Sequence, residues 1–383
     1  MLPTADWTAR ADLAELVAAL GADALRWVGG AVRDTLLGLP VKDIDAATTL
    51  HPPEVIAALK AAGIHSVPTG IDHGTVTALL DGGPVEITTL RHDVTTDGRR
   101  ATVAFASDWR EDAARRDFTI NALYADPVTL EITDYFGGLD DLAARRVRFI
   151  GDARERIRED HLRILRYYRF QARFGSVLDE EGEEACAELA PTLKGLSRER
   201  VAMELLNLLG LPDPGATVAR MAANGVLAIV LPEADPAALT ELIACEQAQG
   251  AAPDALRRLA ALLPSDPKLA EGVAAKLRLS TTQRKRLSLM AGREAGTGPR
   301  ALAYRHGIEA ARDLLLLTAR SMSPLAEWTP PVFPLKGGEI VARGIAAGPD
   351  VARILKTVER RWIAEEFPAA ERVSQMLDEE LSS

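Results

Sequence analysis

The chain is 383 residues long, 47% of them hydrophobic, with a formal net charge of −10. That length and apolar content suffice for two or three domains with their own cores, and the overall acidity excludes a protein that coats nucleic acid through bulk charge. The two cysteines, Cys186 and Cys245, lie in apolar helical segments and offer neither a disulfide framework nor a metal-binding spacing.

In chain order, residues 11–25 predict a short amphipathic helix, followed by the strand "RWV" and a turn at Gly29-Gly30. "AVRDTLLG" reads as a helix stopped by Gly38, with Pro40 beyond it. The stretch "DIDAAT", within the alternating run from Val41, predicts a strand on which Asp43 and Asp45, two residues apart, share a face. A helix over "PPEVIAALKAAG" opens on proline and closes on glycine, and two strands, "GTVTALL" and "VEITTLR", flank the turn "DGGP". Residues 92–108 lack clear periodicity and suggest a loop or hairpin. From about residue 142 the strand signal fades, leaving helices broken at "GLPDPGA", "LPEADP", "LPSDP" and "WTPPVFPLKGG". The expected fold class is therefore α/β with a small mixed sheet, followed by all-α. No apolar run approaches a membrane span and no basic-then-apolar leader opens the chain, so the expected compartment is the cytoplasm and no membrane partner is expected.

Two carboxylates on one strand face repel unless they are solvated or a cation sits between them. Taken alone, Asp43 and Asp45 fit an exposed strand end as well as a metal site. Glu86, between Val85 and Ile87, adds a third acid that can converge on them. Three acids on adjacent strands are what two-metal phosphoryl transfer requires. Gly29-Gly30 ahead of a helix lets backbone N–H groups approach a phosphate, and Arg33, one turn in, can reach the same phosphates.

The basic counterpart lies further on, where residues 143–173 hold ten arginines against four acids. With a helix over "EDHLRILRYYRFQARFG", Ile164, Leu165, Tyr168 and Ala172 share one face and Arg163, Arg166, Arg169 and Arg173 the other. Asp160 stands one turn ahead of Arg163, a pattern that also fits an amphipathic surface helix with an i, i+3 ion pair. Adenine and cytosine both present an exocyclic amino donor beside a ring-nitrogen acceptor. Asp160 can accept from the first while Arg163 donates to the second. Guanine and uracil present the reverse pattern and would leave polar groups unpaired, at about 1–3 kcal/mol each.

Five segments, in order, resemble the class II (bacterial-type) tRNA nucleotidyltransferase and poly(A) polymerase family. They are "GGAVRDTLLGLPVKDIDAAT", "RRDFTINALYAD", "DYFGGLDDL", "REDHLRILRYYRFQARFG" and "LSRERVAMELLNLL". The resemblance implies a polymerase-β-type nucleotidyltransferase head over residues 1–142. It implies a helical, base-recognising neck over 143–230 and a helical, tRNA-binding body and tail over 231–383. Asp43, Asp45 and Glu86 would be catalytic, with Mg²⁺ held by Asp43 and Asp45. Gly30, Arg33, Arg116, Asp160, Arg163, Arg166 and Arg169 would bind the nucleotide, and Asp117 would help read the ribose hydroxyls. Tyr167 stands where the family more often has a small residue, a departure that bears on packing against the base pocket.

The family includes enzymes that rebuild the whole CCA end of tRNA, ones that add only CC or only A, and poly(A) polymerases. Poly(A) relatives tend to carry a Gly-Arg-Arg run before the third-acid strand and a longer basic C-terminus. Here that strand follows "TGIDHGTVTALLDGG" and the chain ends in "MLDEELSS". Both features favour CCA addition, as does a loop that keeps Arg99 and Arg100. The alternatives are a poly(A) polymerase adding AMP to RNA and a partial tRNA enzyme. The expected substrates are CTP, ATP and the tRNA 3′ end, gripped at acceptor stem and elbow. "TTQRKRLSLMAGR" (281–293), and Lys356, Arg360 and Arg361 near the C-terminus, are the basic stretches available for that grip.

Overall fold

The structure is a computed structural model that describes residues 1–96, 101–106 and 108–382. It divides into two compact units, residues 1–232 and 233–383.

In the first unit, α1 (Ala11–Leu20) precedes β1 (Leu25–Val28), α2 (Gly30–Leu36), β2 (Ile44–Thr48) and α3 (Pro52–Ala61). There follow β3 (His65–Gly70), β4 (Thr75–Leu80), β5 (Gly83–Thr89) and a hairpin of β6 (Arg91–Thr96) and β7 (Ala101–Phe105). Next come α4 (Trp109–Ala114), β8 (Leu123–Ala125), β9 (Ile132–Asp134) and α5 (Gly138–Ala143). The main sheet has the order β3-β4-β5-β2-β1-β8-β9 and is antiparallel throughout except that β2 and β5 run parallel. The expected mixed sheet is thus present, and larger than the sequence suggested. Its extra strands are β3, whose residues are mostly exposed, and the three-residue β8 and β9, too short for a period of two to register. The 92–108 stretch contains the hairpin, while Arg99 and Arg100 lie outside the described residues.

Helices α6 (Ala153–Glu159), α7 (Arg163–Phe174), α8 (Glu180–Leu189), α9 (Arg198–Leu209), α10 (Gly215–Ala223) and α11 (Val226–Val230) complete this unit. The buried face of α7 is wider than its periodicity implied, taking in Tyr167, Phe170, Gln171 and Phe174 as well as Ile164, Leu165 and Tyr168. Tyr167 stacks on Phe149 at 5.6 Å and 13° and donates to the Asp179 carbonyl, so it packs in the core rather than against the cleft described below.

The second unit is helical in all its described elements. It comprises α12 (Pro236–Ala248), α13 (Ala255–Leu262), α14 (Pro267–Lys276), α15 (Thr281–Ala291), α16 (Pro299–His306), α17 (Ile308–Leu317), α18 (Gly337–Ala342), α19 (Pro349–Ala364) and α20 (Ala370–Leu381). Trp362, Val358, Ile340, Met376 and Leu377 form the core of its last three helices. Among the described residues no helix is long and apolar enough to cross a membrane.

Candidate active site

Two expectations about local structure are corrected. The strand carrying the paired acids begins at Ile44, not Asp43, because ladder partners start only there: Ile44 faces Val85 on β5, and Asp45 faces Val28 on β1. Asp43 therefore stands in the exposed segment just ahead of the strand. The arginine helix likewise does not run unbroken through Asp160. Helix α6 ends at Glu159, Asp160 is extended (φ −148°, ψ 104°), and α7 starts at Arg163. The physical reason is capping. The Asp160 carboxylate accepts from the Leu162 N–H and its carbonyl from the Arg163 N–H, a local pattern that competes with continuing the helix.

A cavity of about 380 Å³ in the first unit is lined by Gly29, Gly30, Arg33, Asp45, Arg115, Arg116, Asp117, Asn121, Asp160, Arg163, Arg166 and Phe170. It brings together Gly30, Arg33, Asp45, Arg116, Asp160, Arg163 and Arg166 of the residues expected from sequence. Asp43, Glu86 and Arg169 are not in its lining. Five arginines against three aspartates leave the lining with a positive surplus suited to a polyphosphate.

The acids are arranged by the sheet. Parallel pairing sets Glu86 on β5 directly beside Asp45 on β2. Burial, then the Glu86 charge with Asp43 adding to it, pushes the Asp45 carboxyl up to about 6, against the pull of Arg116 and Arg33. Such crowding of carboxylates is relieved by a cation. The donors are oxygen only, which fits a hard divalent ion, with Asp45 in the cleft and Asp43 two residues ahead. No group of three or more His, Cys, Asp or Glu is preassembled for a metal among the described residues.

At the start of α2, Gly29 has φ +71°, and a Cβ there would stand 3.7 Å from Arg116 Nη1 and 3.8 Å from Asp45 Oδ2. Those are ordinary contacts, so it is the positive φ of the turn that calls for glycine here. Arg33, only 5% exposed, donates to Asp34 Oδ1 at 2.8 Å and to Asn121 Oδ1 at 2.5 Å, and lies 4.3 Å from the Phe174 ring centroid. Burial lowers its pKa while the Asp34 charge opposes that loss. Arg116 is held by the Tyr124 hydroxyl (3.1 Å) and by buried Asp112 (3.1 Å).

The opposite wall comes from α7 and the turn before it. Arg163 donates to Glu159 (2.6 Å) and to the Arg115 carbonyl (3.0 Å). Asp160 accepts from Arg200 on α9 at 2.6 Å. Arg166 grips Asp117 Oδ2 through Nε (2.8 Å) and Nη2 (2.5 Å). Burial alone would raise Asp117, but the Arg166 charge and the hydrogen bonds from Asn121 and Arg166 hold it down at about 2. Asp117 Oδ1 also accepts from the Phe118 N–H and Asn121 Nδ2, so the carboxylate is occupied on both oxygens. Arg169 is turned to Glu204 on α9 (2.5 Å), and Arg173 pairs with Asp34 (3.1 Å).

Sequence reasoning missed Asn121, Arg115 and Phe170 in the cleft, and Arg200 and Glu204 behind it. Asn121, four residues after Asp117 within "RRDFTIN", carried the one available signal, a short polar side chain in an apolar run. Phe170 is a buried aromatic residue of α7. It is 6% exposed, yet the guanidinium carbons of Arg33, Arg166 and Arg169 lie 5.3, 5.4 and 4.7 Å from its ring centroid.

Comparison with known proteins bears on the same regions. A family model described as the poly A polymerase head domain matches residues 25–148, and one described as the probable RNA and SrmB-binding site of polymerase A matches residues 177–238. The mitochondrial CCA tRNA nucleotidyltransferase 1 of Mus musculus is 34% identical over 364 residues, spanning 88% of this chain and 82% of that enzyme. The CCA-adding enzyme of Enterococcus faecalis is 41% identical over 185 residues, spanning 48% of this chain and 44% of that enzyme. The crystal structure of the Bacillus stearothermophilus CCA-adding enzyme in complex with CTP superposes with a TM-score of 0.74 at 26% identity, covering 97% of this chain and 98% of that one. With a relative matched along most of both chains and a solved structure shared almost end to end, this chain belongs to the CCA tRNA nucleotidyltransferase family.

Proposed function

We propose that the protein adds CMP, CMP and AMP to the 3′ end of tRNA, taking CTP and ATP as substrates and releasing pyrophosphate. The observation that carries this reading is the single cleft that holds Asp45 and the Gly29-Gly30 turn together with Asp160, Arg163 and Arg166. Mg²⁺ would be held by Asp43 and Asp45, with Glu86 beside them, and when bound would supply charge neutralisation at the reacting phosphate and a lowered pKa for the attacking hydroxyl. Gly30, Arg33 and Arg116 hold the triphosphate: backbone N–H groups and fixed guanidiniums orient it without reorganisation cost. Asp160 accepts from the amino group of cytosine or adenine, and Arg163 donates to the adjacent ring nitrogen. Glu159 and the Arg115 carbonyl fix the direction of that donor. Arg166 lines the cleft beside the nucleotide. Arg169, gripped by Glu204, supports that wall from behind.

The helical second unit supplies the tRNA grip in this reading. Support comes from a cavity of about 530 Å³ lined in part by Arg300, Arg305 and Arg360, a set suited to phosphates. The basic run 281–293 contributes less than its sequence suggested. Arg286 is tied to Asp254 and Asp313, and Arg293 donates to the carbonyls of Met290 and Ala260. Two free cysteines suit a reducing compartment, and the reading places the protein in the cytoplasm.

The test uses purified protein, Mg²⁺ and labelled nucleotides with three acceptors: a tRNA lacking its CCA end, the same tRNA ending in CC, and an unstructured RNA. CMP incorporation on the first and one AMP on the second, with little on the third, is expected. Long ATP-only tails on the third would make it a poly(A) polymerase, and addition that stops at CC would make it a partial enzyme.

A further inference from the structure

The cavity of about 530 Å³ lies wholly in the second unit, and its volume is within the range of ligand sites. Part of its lining is cationic: Arg300 and Arg305 on α16, and Arg360 on α19. All three are exposed, and Arg305 and Arg360 make no hydrogen bond or ion pair with the described residues. Arg300 has only Glu366, 3.8 Å away and itself 80% exposed, a contact worth little. The rest of the lining includes an apolar wall of Ile363, Phe367 and Pro324.

The walls are held by contacts that leave these arginines out. Helix α19 ends in a turn closed by the Phe367 N–H on the Trp362 carbonyl, with Glu366 and Phe367 both left-handed (φ +57° and +64°). The reversal sets the Phe367 ring against Trp362, Trp328 and Tyr304, at centroid distances of 4.9, 5.5 and 5.5 Å. Ahead of α16, Arg320 donates to the carbonyls of Ala295 (3.0 Å) and Thr297 (2.8 Å) and so fixes the loop that enters the helix. Guanidiniums with no structural duty therefore share a cavity with a fixed apolar wall.

We propose that this cavity binds a single unpaired nucleotide, its phosphate on the arginines and its base on the apolar wall. A bare phosphate would leave Ile363 and Phe367 uncovered, and an apolar molecule would leave the arginines without a counter-charge. A nucleotide meets both demands. Paired RNA offers its phosphates alone, because its bases stay stacked in the helix, whereas an unpaired residue offers both parts. The same chemistry has two sources: a residue of single-stranded RNA, or a free nucleotide. The first source rests on the reading of the second unit as the part that grips RNA, and extends that grip from backbone charge to an unpaired base.

The experiment compares the full-length parent with the double variants Arg305→Ala/Arg360→Ala and Arg305→Lys/Arg360→Lys. It measures the affinity for a short single-stranded RNA and for the blunt duplex formed from it, the number of CTP molecules bound at equilibrium dialysis, and the melting temperature. The expected result is that the alanine pair binds the single strand at least about tenfold more weakly than the parent and the duplex within about twofold, with the melting temperature unchanged. The lysine pair, which keeps the charge, should recover most of the loss. Two CTP bound by the parent and one by the alanine pair, with unchanged RNA affinities, would make a free nucleotide the occupant. Equal losses on single strand and duplex overturn the proposal, since the base would then play no part. RNA affinities and CTP stoichiometry that neither pair alters overturn it too. A parent that shows the single-strand effect yet incorporates neither CMP nor AMP would overturn the functional reading and leave this inference standing.

Discussion

The arginines of α7 and those of the second unit look alike in sequence and differ in what surrounds them. In α7 and the turn before it, Arg163 and Arg166 each meet an acid on one side and still line an open cleft. In the second unit, Arg257 and Arg258 share buried Glu246, at 2.7 and 2.9 Å, and Arg257 and Arg286 share Asp313. The first set is held in place but remains available; the second is used up as internal struts. Position in a basic run therefore says little about ligand binding. What matters is whether the guanidinium keeps N–H groups facing a cavity after its structural partners are counted.

The contrast predicts activity losses from the cleft and stability losses from the second unit. The largest expected effect is on chemistry. Asp45→Asn, by removing a proposed metal ligand, should lower nucleotide incorporation on the order of 10³-fold. The same change should leave the fold intact or stabilise the metal-free protein. Burial raises the Asp45 pKa to about 6, above its ordinary value of 3.8, so ionising it costs stability as pH climbs from about 4 to 6. Above pH 6 the metal-free variant should melt higher than the metal-free parent, and below about pH 4 the two should converge. Equal melting at pH 7 would show that Asp45 is not electrostatically crowded.

Next in size is Glu246→Ala, which strands two buried guanidiniums. Breaking a buried pair from one side costs about 3–5 kcal/mol, so calorimetry should show the second unit strongly destabilised. Glycine-turn or α7 variants should not do this. A normal melting profile would break the comparison. Asp160→Ala should then narrow the preference for CTP and ATP over UTP and GTP by about 10–100-fold, at ~1–3 kcal/mol for the lost pattern, read from single-nucleotide incorporation on truncated tRNA. Unchanged selectivity would sever Asp160 from base choice.

Two smaller effects sharpen the picture. Protons compete with the metal for Asp45, so apparent metal affinity should fall by up to about tenfold per pH unit below about 6. A flat metal dependence between pH 7 and 5 would remove Asp45 from the ligand set. Arg284→Ala, breaking an exposed pair with Glu271 at 3.4 Å, should change stability by less than about 0.5 kcal/mol.

Much of this protein was determined by sequence alone, because the signals involved are local. The helix-stopping glycines, the β2 and β5 strands, the glycine turn and the Asp160–Arg163 spacing follow from backbone preference and periodicity over a few residues. Tertiary structure decided the rest, since it depends on partners far away in the chain. Parallel pairing of β2 with β5 sets Glu86 beside Asp45 and gives that carboxyl its raised pKa. A cap made by its own side chain takes Asp160 out of the arginine helix and leaves it to Arg200, 40 residues on. Glu204 turns Arg169 away from the cleft, and Asn121, through Asp117, joins a helix 88 residues earlier to the α7 wall of the cleft. Periodicity shows which face a residue occupies. Which charge waits opposite it is settled only when the chain has folded, because Coulomb and hydrogen-bond energies depend on separation in space.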